Sequence, residues 1–588
     1  MVLFGERGDA MQMPIRIPAP NAAPNALGRS GARRVADQIV QVLYEAGVRA
    51  IFGVPGGAIS AIYDALLDEP RICVVNTSHE SAAVFSAIGY ARATGRVGVV
   101  LTTSGPGVTN AITGIASAHL DSVPVLLLGG EVPRKNFGRG ALQEGSPYQL
   151  NLVSMLRSIT KASSEVTSPD SAVSAVHKAI ATALSGRRGP VFLSLPLDMQ
   201  GASTTVPRMA VNVESHFTVE RELINAALQR ILTAERPLVL AGSGVRWGQG
   251  PSALLRFAEA FRIPVATTPK AKGVFPESHP LSLGIYGHGG HPSSEAYLEE
   301  GLDVLVAVGT SFGDAATNSW TERLRPSRSF IHVDIDSSQI GKNYAADLGI
   351  AGPAETVLAT MADLAPRVRP IPIPGGRRFF HSPEASDGVR LKPQRALWEL
   401  QQILPRSTAY CCDIGEHMMF ALHYLTIDEP DAFYLSSGLA AMGSSLGMAT
   451  GVKMAAPDRP VVAVCGDGTM SMAALELATA ARLGMNVVYL VLNDLRYAMV
   501  EEGHRSIYGR TPAFPVTADL GQLAVALGGR ATKIEHPGEL LELGGKWLLE
   551  HPGPVLLDVR IDPTEAMPKR SRFDSLQNFV GRTKPAEA

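Results

Sequence analysis

The chain has 588 residues, 45% of them hydrophobic and 18% charged, with a formal net charge of −2. A prior of ~100–200 residues per domain gives about three domains, each with enough apolar sequence to build its own core. The near-zero charge offers no electrostatic basis for binding nucleic acid or an anionic membrane, and no apolar run is long enough to span a bilayer.

Residues 1–30 are rich in Pro, Ala, Asn and Arg without periodicity and lack the apolar core of a secretory signal. They read as a disordered extension, with Met11 or Met13 as an alternative start. From Gly31 the pattern becomes α/β. A helix is predicted over Val35–Ala46, a strand over Ala50–Gly53, a turn at Pro55-Gly56-Gly57 and a helix over Ala58–Leu67. Strands follow at Cys73–Val75, Val97–Thr102, Pro124–Leu128 and Val191–Leu195. A second series contains Leu238–Ala241, Pro264–Thr267, Val304–Val308 and Phe330–Asp334. A third begins near Thr408. Linkers are expected at Gly201–Asn212 and at the proline-rich Pro370–Asp387, giving domains 31–200, 213–369 and 388–570 and a tail 571–588. The fold class is therefore α/β, three doubly wound parallel-sheet domains in series, with no repeat visible in the sequence. The four cysteines (Cys73, Cys411, Cys412, Cys465) have neither disulfide-framework nor zinc spacing, which points to a reducing cytoplasm, and Cys465 reads as core.

The third series carries the most informative stretch, Val461–Met499. Val461–Cys465 has the length and β-branched content of a buried strand. It stops at Gly466-Asp467-Gly468, where two glycines allow a tight turn and close approach to a ligand. Met472–Leu483 reads as a helix and Asn486–Leu492 as a second buried strand, ending at Asn493-Asp494. A strand–helix–strand unit places Asp467 and Asp494 near the carboxyl ends of neighbouring strands, where open α/β sheets bind ligands. Two hard oxygen ligands beside a helix N-terminus suit Mg²⁺ holding a diphosphate.

This segment resembles the diphosphate-binding signature of thiamine-diphosphate enzymes, and the chain from Gly31 to about Arg560 resembles their acetolactate synthase-like branch. The motifs run in order: FGVPGGAISAIYDAL (52–66), HESAAVFSAIGYARATG (79–95), TSGPGVTN (103–110), DSVPVLLLGGEVP (121–133), LQEGS (142–146), SITK (158–161), FPESHPLSLG (275–284), HVDIDSSQIGKN (332–343), DIGEH (413–417) and SSGLAAMG (436–443). The resemblance implies pyrimidine-binding, central and diphosphate-binding domains, with thiamine diphosphate and Mg²⁺ as cofactors. It places the metal on Asp467, Asp494 and the main-chain carbonyl of Arg496. Glu416, His417, Gly468 and Thr469 match positions flanking the diphosphate, and Gly466, Arg496 and Met499 are further cofactor-binding positions that the resemblance implies. Ala440 and Met442 match the segment that contacts the aminopyrimidine, Met442 being the bulky residue that bends the cofactor. Glu80 matches the catalytic Glu that bonds the aminopyrimidine ring and promotes proton loss from the thiazolium. Gln143 matches a substrate-side Gln and Lys161 a lysine near the channel. Because the two ends of the cofactor are held by different chains in this family, a homodimer or tetramer with shared sites is implied. A regulatory subunit is left open.

Four positions depart from the pattern. Asp494 replaces a neutral amide, a change taken as conservative for binding a hard cation. Ser311 replaces the central-domain Arg that helps bind flavin and the acceptor carboxylate. Gly503 replaces a Trp of the acceptor pocket, and Leu142 replaces a Phe. Losing the planar cation removes a bidentate grip on a second 2-oxo acid, so FAD is disfavoured and the pocket, with Leu142, Gly503 and His504 at its mouth, reads as rebuilt. The expected activity is a carboligase that decarboxylates a 2-oxo acid, pyruvate first, and passes the acyl-anion equivalent to a carbonyl acceptor. The alternatives are a 2-oxo acid decarboxylase or acyloin lyase, then a flavin-linked oxidase or an inactive binding paralogue.

Overall fold

Three parallel sheets organise the computed structural model, which describes residues 2–3, 33–204, 219–365 and 390–568. The first contains Ala50–Gly53, Cys73–Asn76, Gly98–Thr102, Val125–Glu131, Ala162–Glu165 and Val191–Pro196. Numbered along the chain, these lie in spatial order 2-1-3-4-6-5, every pairing parallel. The third sheet is built from Ala409–Cys412, Phe433–Leu435, Val461–Gly466, Val488–Asn493, Arg530–Ile534 and Val555–Arg560. It has the same order, so the outer two domains repeat one topology that their sequences do not display. The central sheet contains Pro237–Ala241, Val265–Thr267, Ser282–Ile285, Val304–Val308, Ser329–Asp334 and Leu348–Ala351. Its order is 3-2-1-4-5-6, the arrangement of dinucleotide-binding domains, which reverses between the first and fourth strands.

Three of the strands absent from the sequence reading, Ala162–Glu165, Ser282–Ile285 and Leu348–Ala351, lie at sheet edges. Edge strands need no continuous apolar run, and Ala162–Glu165 reads Ala-Ser-Ser-Glu. The predicted helix Met472–Leu483 is two helices, Asp467–Ala473 and Glu476–Arg482. The first begins directly after Gly466, earlier than expected, because Gly468 sits in its opening turn instead of extending the loop. The expected linker at Gly201 starts too soon: Ser203–Thr204 still pair antiparallel with Arg33–Arg34. The rest of both linkers, the tail and the N-terminal extension lie outside the described residues. The exception is Val2–Leu3, a two-residue strand antiparallel to Thr532–Lys533.

The outer domains share one hydrophobic core. Its centre is the contact between the helices Glu80–Thr94 and Ser444–Ala455, each buried almost all round. Glycines let the two backbones touch. A Cβ on Gly451 would stand 1.9 Å from the Ser86 carbonyl oxygen, and one on Gly89 2.2 Å from that of Met448. A polar hub completes the assembly of the three domains. Buried Asp121 accepts hydrogen bonds from Ser436 Oγ at 2.7 Å, the Gly438 N–H at 3.0 Å and Lys270 Nζ at 3.1 Å, with Arg92 at 3.5 Å. It thereby pins the loop that leads to Ala440 and Met442.

Candidate active site

The site is built at the carboxyl ends of two adjacent parallel strands, Val461–Gly466 and Val488–Asn493, as the strand–helix–strand reading requires. Asp467 opens the helix after the first strand and is only 3% exposed. Its Oδ1 accepts the Gly468 N–H at 2.8 Å, and its Oδ2 is buried without a hydrogen-bond partner. Burial, and secondarily the charge of Asp494, pushes this carboxyl up to about 7. Both flanking glycines are needed for space. A Cβ on Gly466 would lie 3.0 Å from His417 Nδ1, and one on Gly468 2.6 Å from the Tyr497 ring.

His417 forms the opposite wall, on the first turn of the helix Glu416–Tyr424. Burial lowers it to about 4 despite the opposing charge of Asp413, so the ring is neutral at pH 7, and its Nε2 is a second buried atom without a partner. Asp413, the first residue of the DIGEH motif and not among the expected site residues, organises the floor. Its Oδ1 accepts the Gly443 N–H at 3.0 Å and the Thr469 hydroxyl at 2.9 Å, and its Oδ2 accepts the Ser445 N–H at 2.7 Å. One buried carboxylate thus ties the Met442 loop to the Asp467 helix. Met442 packs over the turn, its Cε 3.5 Å from where a Gly468 Cβ would stand, and Ala440 holds a left-handed φ of 60°.

Asp494 follows the second strand. Its carboxyl is raised by burial, opposed by the Arg496 guanidinium, whose Nε donates to Asp494 Oδ2 at 2.9 Å. Leu495 between them has φ 64°, a left-handed turn that sets the direction of the backbone leading to the Arg496 carbonyl. Among the described residues no cluster of three or more His, Cys, Asp or Glu side chains forms. The two carboxylates and one carbonyl are the hard oxygen donors that a cation such as Mg²⁺ would take.

Glu80 lies in the first domain. His79 caps its helix, Nδ1 accepting the Ser81 N–H at 3.1 Å, and Glu80 Oε2 accepts from Asn110 Nδ2 at 3.0 Å. Gln143 has φ 63° and packs against Gly105 of the same TSGPGVTN loop, so Glu80 and Gln143 border one stretch of backbone. Leu142 beside it is 88% exposed. Glu476, also missed, joins this patch to the third domain: it is buried, its Oε1 accepts the Ser78 N–H at 3.1 Å, and burial pushes it up to about 7.

Lys161 stands elsewhere. Its Nζ donates to the carbonyls of Thr182 and Ser185, both at 2.6 Å, and closes the end of the helix Pro169–Leu184. Gly503 and His504 lie on the helix Ala498–Tyr508, with the His504 ring packed between Tyr508 and Phe514.

A cavity of about 790 Å³ opens where the three domains meet. Gly244, Gly309 and Ser311 line it at the strand-order reversal of the central sheet, Ser122 and Arg187 from the first domain, and Gly415, Ala440 and Met499 from the third.

A sheet topology repeated in two domains around a central dinucleotide-type domain, with a buried Gly-Asp-Gly cradle, defines a thiamine-diphosphate enzyme. Family models agree over all three domains: "Thiamine pyrophosphate enzyme, N-terminal TPP binding domain" matches residues 33–152, the "central domain" 224–361 and the "C-terminal TPP binding domain" 413–559. The chain is 35% identical to a probable acetolactate synthase large subunit of Methanocaldococcus jannaschii, over 93% of this chain and 95% of that one. It is 35% identical to the acetolactate synthase isozyme 3 large subunit of Escherichia coli, over 90% and 95%, and 34% identical to an acetolactate synthase of Arthrospira platensis, over 90% and 94%. The chain belongs to the acetolactate synthase large-subunit family, and it is a thiamine-diphosphate-dependent enzyme that forms carbon–carbon bonds.

Proposed function

We propose that this carboligase decarboxylates a 2-oxo acid, pyruvate before others, and adds the acyl-anion equivalent to an acceptor carbonyl that need not belong to a second 2-oxo acid. The observation that carries the cofactor assignment is the pair of buried atoms without partners, Asp467 Oδ2 in the Gly-Asp-Gly turn and Nε2 of His417, whose ring packs against Gly466. Orphaned buried polar atoms are costly, and a metal–diphosphate supplies the missing partners. Asp467, Asp494 and the Arg496 carbonyl would hold Mg²⁺; His417, Gly466, Gly468 and Thr469 would surround the diphosphate; Met442 and Ala440 would border the rings. When bound, thiamine diphosphate supplies a carbanion equivalent at its thiazolium carbon. Glu80 would hold the proton that the cofactor needs exchanged, with Asn110 engaging Oε2 so that Oε1 is the oxygen left for it. Gln143 positions substrate from the 142–146 segment, which packs against Gly105 of the loop that carries Asn110. Of the cavity cations, Lys270 is committed to Asp121 and Arg187 to Ser122 and Asp336, while Arg188 donates to the Gly95 carbonyl and stacks on Trp247.

The enzyme acts in this proposal as a cytoplasmic homodimer or tetramer, Glu80 serving the partner's diphosphate domain. The exposed Leu142, Met442, Met472 and Leu475 support an apolar face to be covered. The words "large subunit" in the relatives' names raise a smaller partner chain, which no described feature singles out.

The test is carbon-13 NMR of labelled pyruvate with pure enzyme, thiamine diphosphate and Mg²⁺. Carbon dioxide release without acetolactate, followed by a new carbon–carbon bond when aldehydes are supplied, is the expected result. Labelled acetolactate as the main product would refute the acceptor assignment, and release of free aldehyde alone, whatever acceptor is offered, would favour the decarboxylase.

The cavity favours a second reading for the central domain. It lies at the reversal of a 3-2-1-4-5-6 sheet, where nucleotides bind. Although Ser311 argues against flavin, the space admits a nucleotide-sized ligand. A purified protein with flavin absorption in the visible would establish that reading, and a colourless one would leave flavin out.

A further inference from the structure

Asp494 stands where the resemblance expects a neutral amide, and the structure pairs it with Arg496. Arg496 is held on three sides. Its Nε donates to Asp494 Oδ2 at 2.9 Å, its Nη1 pairs with Glu501 Oε2 at 3.2 Å, and its Nη2 donates to the Pro563 carbonyl at 2.6 Å. Glu501 is itself anchored, Oε1 accepting the Phe514 N–H at 2.8 Å. The guanidinium therefore has a fixed place, and the edge it turns toward Asp494 is a donor.

A carboxylate accepts on both oxygens, whereas a carboxamide accepts on one atom and donates from the other. With the Arg496 Nε–H against one side of residue 494, only a carboxylate can accept there and still offer oxygen to a cation. An amide must present NH₂ either to the Nε–H, donor against donor, or to the metal. The guanidinium is shared between Asp494 and Glu501, so it offsets only part of the charge that Asp494 adds over an amide.

We propose that Arg496 is a positioning residue that fixes Asp494 with Oδ1 toward the bound cation, and that the pair as a unit takes the place of the family's neutral amide. Asp494 is consequently not exchangeable for Asn while Arg496 is present. This rests on the reading that Asp467, Asp494 and the Arg496 carbonyl hold the cation.

The test is binding, read without turnover. Titration calorimetry follows thiamine diphosphate binding to the metal-saturated full-length apoprotein, and electron paramagnetic resonance follows Mn²⁺; circular dichroism checks that each variant folds. Asp494→Asn, although it installs the family's usual side chain, is expected to weaken binding by about tenfold or more, the effect of one buried donor left facing another. Adding Arg496→Met to it is expected to bring affinity back to within about threefold of wild type, a coupling that independent sites do not show. Wild-type affinity in Asp494→Asn, or a double variant no tighter than the single, overturns the inference. Asp467→Asn separates this from the underlying reading: if that variant binds Mn²⁺ and thiamine diphosphate as the wild type does, the metal assignment itself fails.

Discussion

Gly451→Ala puts the joint between the outer domains to a quantitative test. Two effects oppose one another. In a helix interior Ala is favoured over Gly by about 0.8–1.0 kcal/mol, so an open site would gain stability. Here the new Cβ would stand 1.9 Å from the Ser86 carbonyl oxygen and within 2.8 Å of the Tyr90 nitrogen. A relaxed carbon–oxygen contact is about 3.3 Å, so the helices must separate by roughly 1.4 Å, the difference between 3.3 and 1.9. The obstacle is backbone, not a side chain that can swing away. Overpacking of this kind costs about 1–3 kcal/mol, and a backbone clash belongs at or above the upper end. The net expectation is destabilisation of about 2 kcal/mol, a fall in melting temperature of several degrees if the two domains unfold together. Differential scanning calorimetry measures it, with Gly201→Ala as the control, because nothing lies within 4 Å of a Cβ there. A Gly451→Ala protein as stable as wild type, or more so, would show that propensity wins and that the close helix crossing does not hold the domains together.

Glu80→Gln should cut turnover by orders of magnitude while leaving thiamine diphosphate affinity and oligomeric state unchanged; undiminished turnover in a steady-state assay sinks the proton-exchange role. Mixing Glu80→Gln with Asp467→Asn subunits should restore part of the activity if sites are shared, and a mixture as inactive as its parents argues for sites within one chain. Asp413→Asn keeps the shape but sets an NH₂ against one of three donors, so a loss of about 2 kcal/mol in chemical denaturation and weaker cofactor binding are expected; wild-type stability would mean that the carboxylate is not what ties the loop. Glu476 has a folded-state pKa near 7 against an ordinary 4.5, so the stability it contributes is complete below about 4.5 and is lost as pH rises through about 7. Glu476→Gln should flatten that part of the apoprotein's stability–pH profile; an unchanged slope would place the proton elsewhere.

The parts of the site legible in the sequence were those written in consecutive residues. Gly466-Asp467-Gly468 and the spacing to Asp494 follow from one strand–helix–strand unit, and the structure sets both carboxylates at adjacent strand ends. The helix from Glu80 shows no amphipathic stripe, because its neighbours in the third domain cover the face that would otherwise be polar. It was legible only through the residues of its motif. Lys161 illustrates the opposite failure. Its partners are main-chain carbonyls at the end of a helix some 20 residues on, and no local pattern distinguishes a lysine that closes a helix from one that meets substrate. For Arg496 the sequence drew attention to the carbonyl alone, while the turn at Leu495 brings the side chain back onto Asp494.

Asp121, Asp413 and Glu476 share a character that explains why sequence reasoning passed over them. Each is a buried carboxylate that accepts donors from segments far apart in the chain: Asp121 from the Ser436–Gly438 loop and Lys270, Asp413 from the Met442 loop and Thr469, Glu476 from Ser78. A buried acid, charged or protonated, is costly unless its hydrogen-bond partners are in place, so each loop is favoured in one position relative to its neighbours. That is what a site assembled from loops of separate domains requires. Apolar packing between the outer domains supplies adhesion with little directional preference, whereas hydrogen bonds to a fixed carboxylate specify where Met442, Ala440 and the approach to Glu80 must stand. The residues proposed to do chemistry are thus few, and a comparable number of acids is spent on holding them in register.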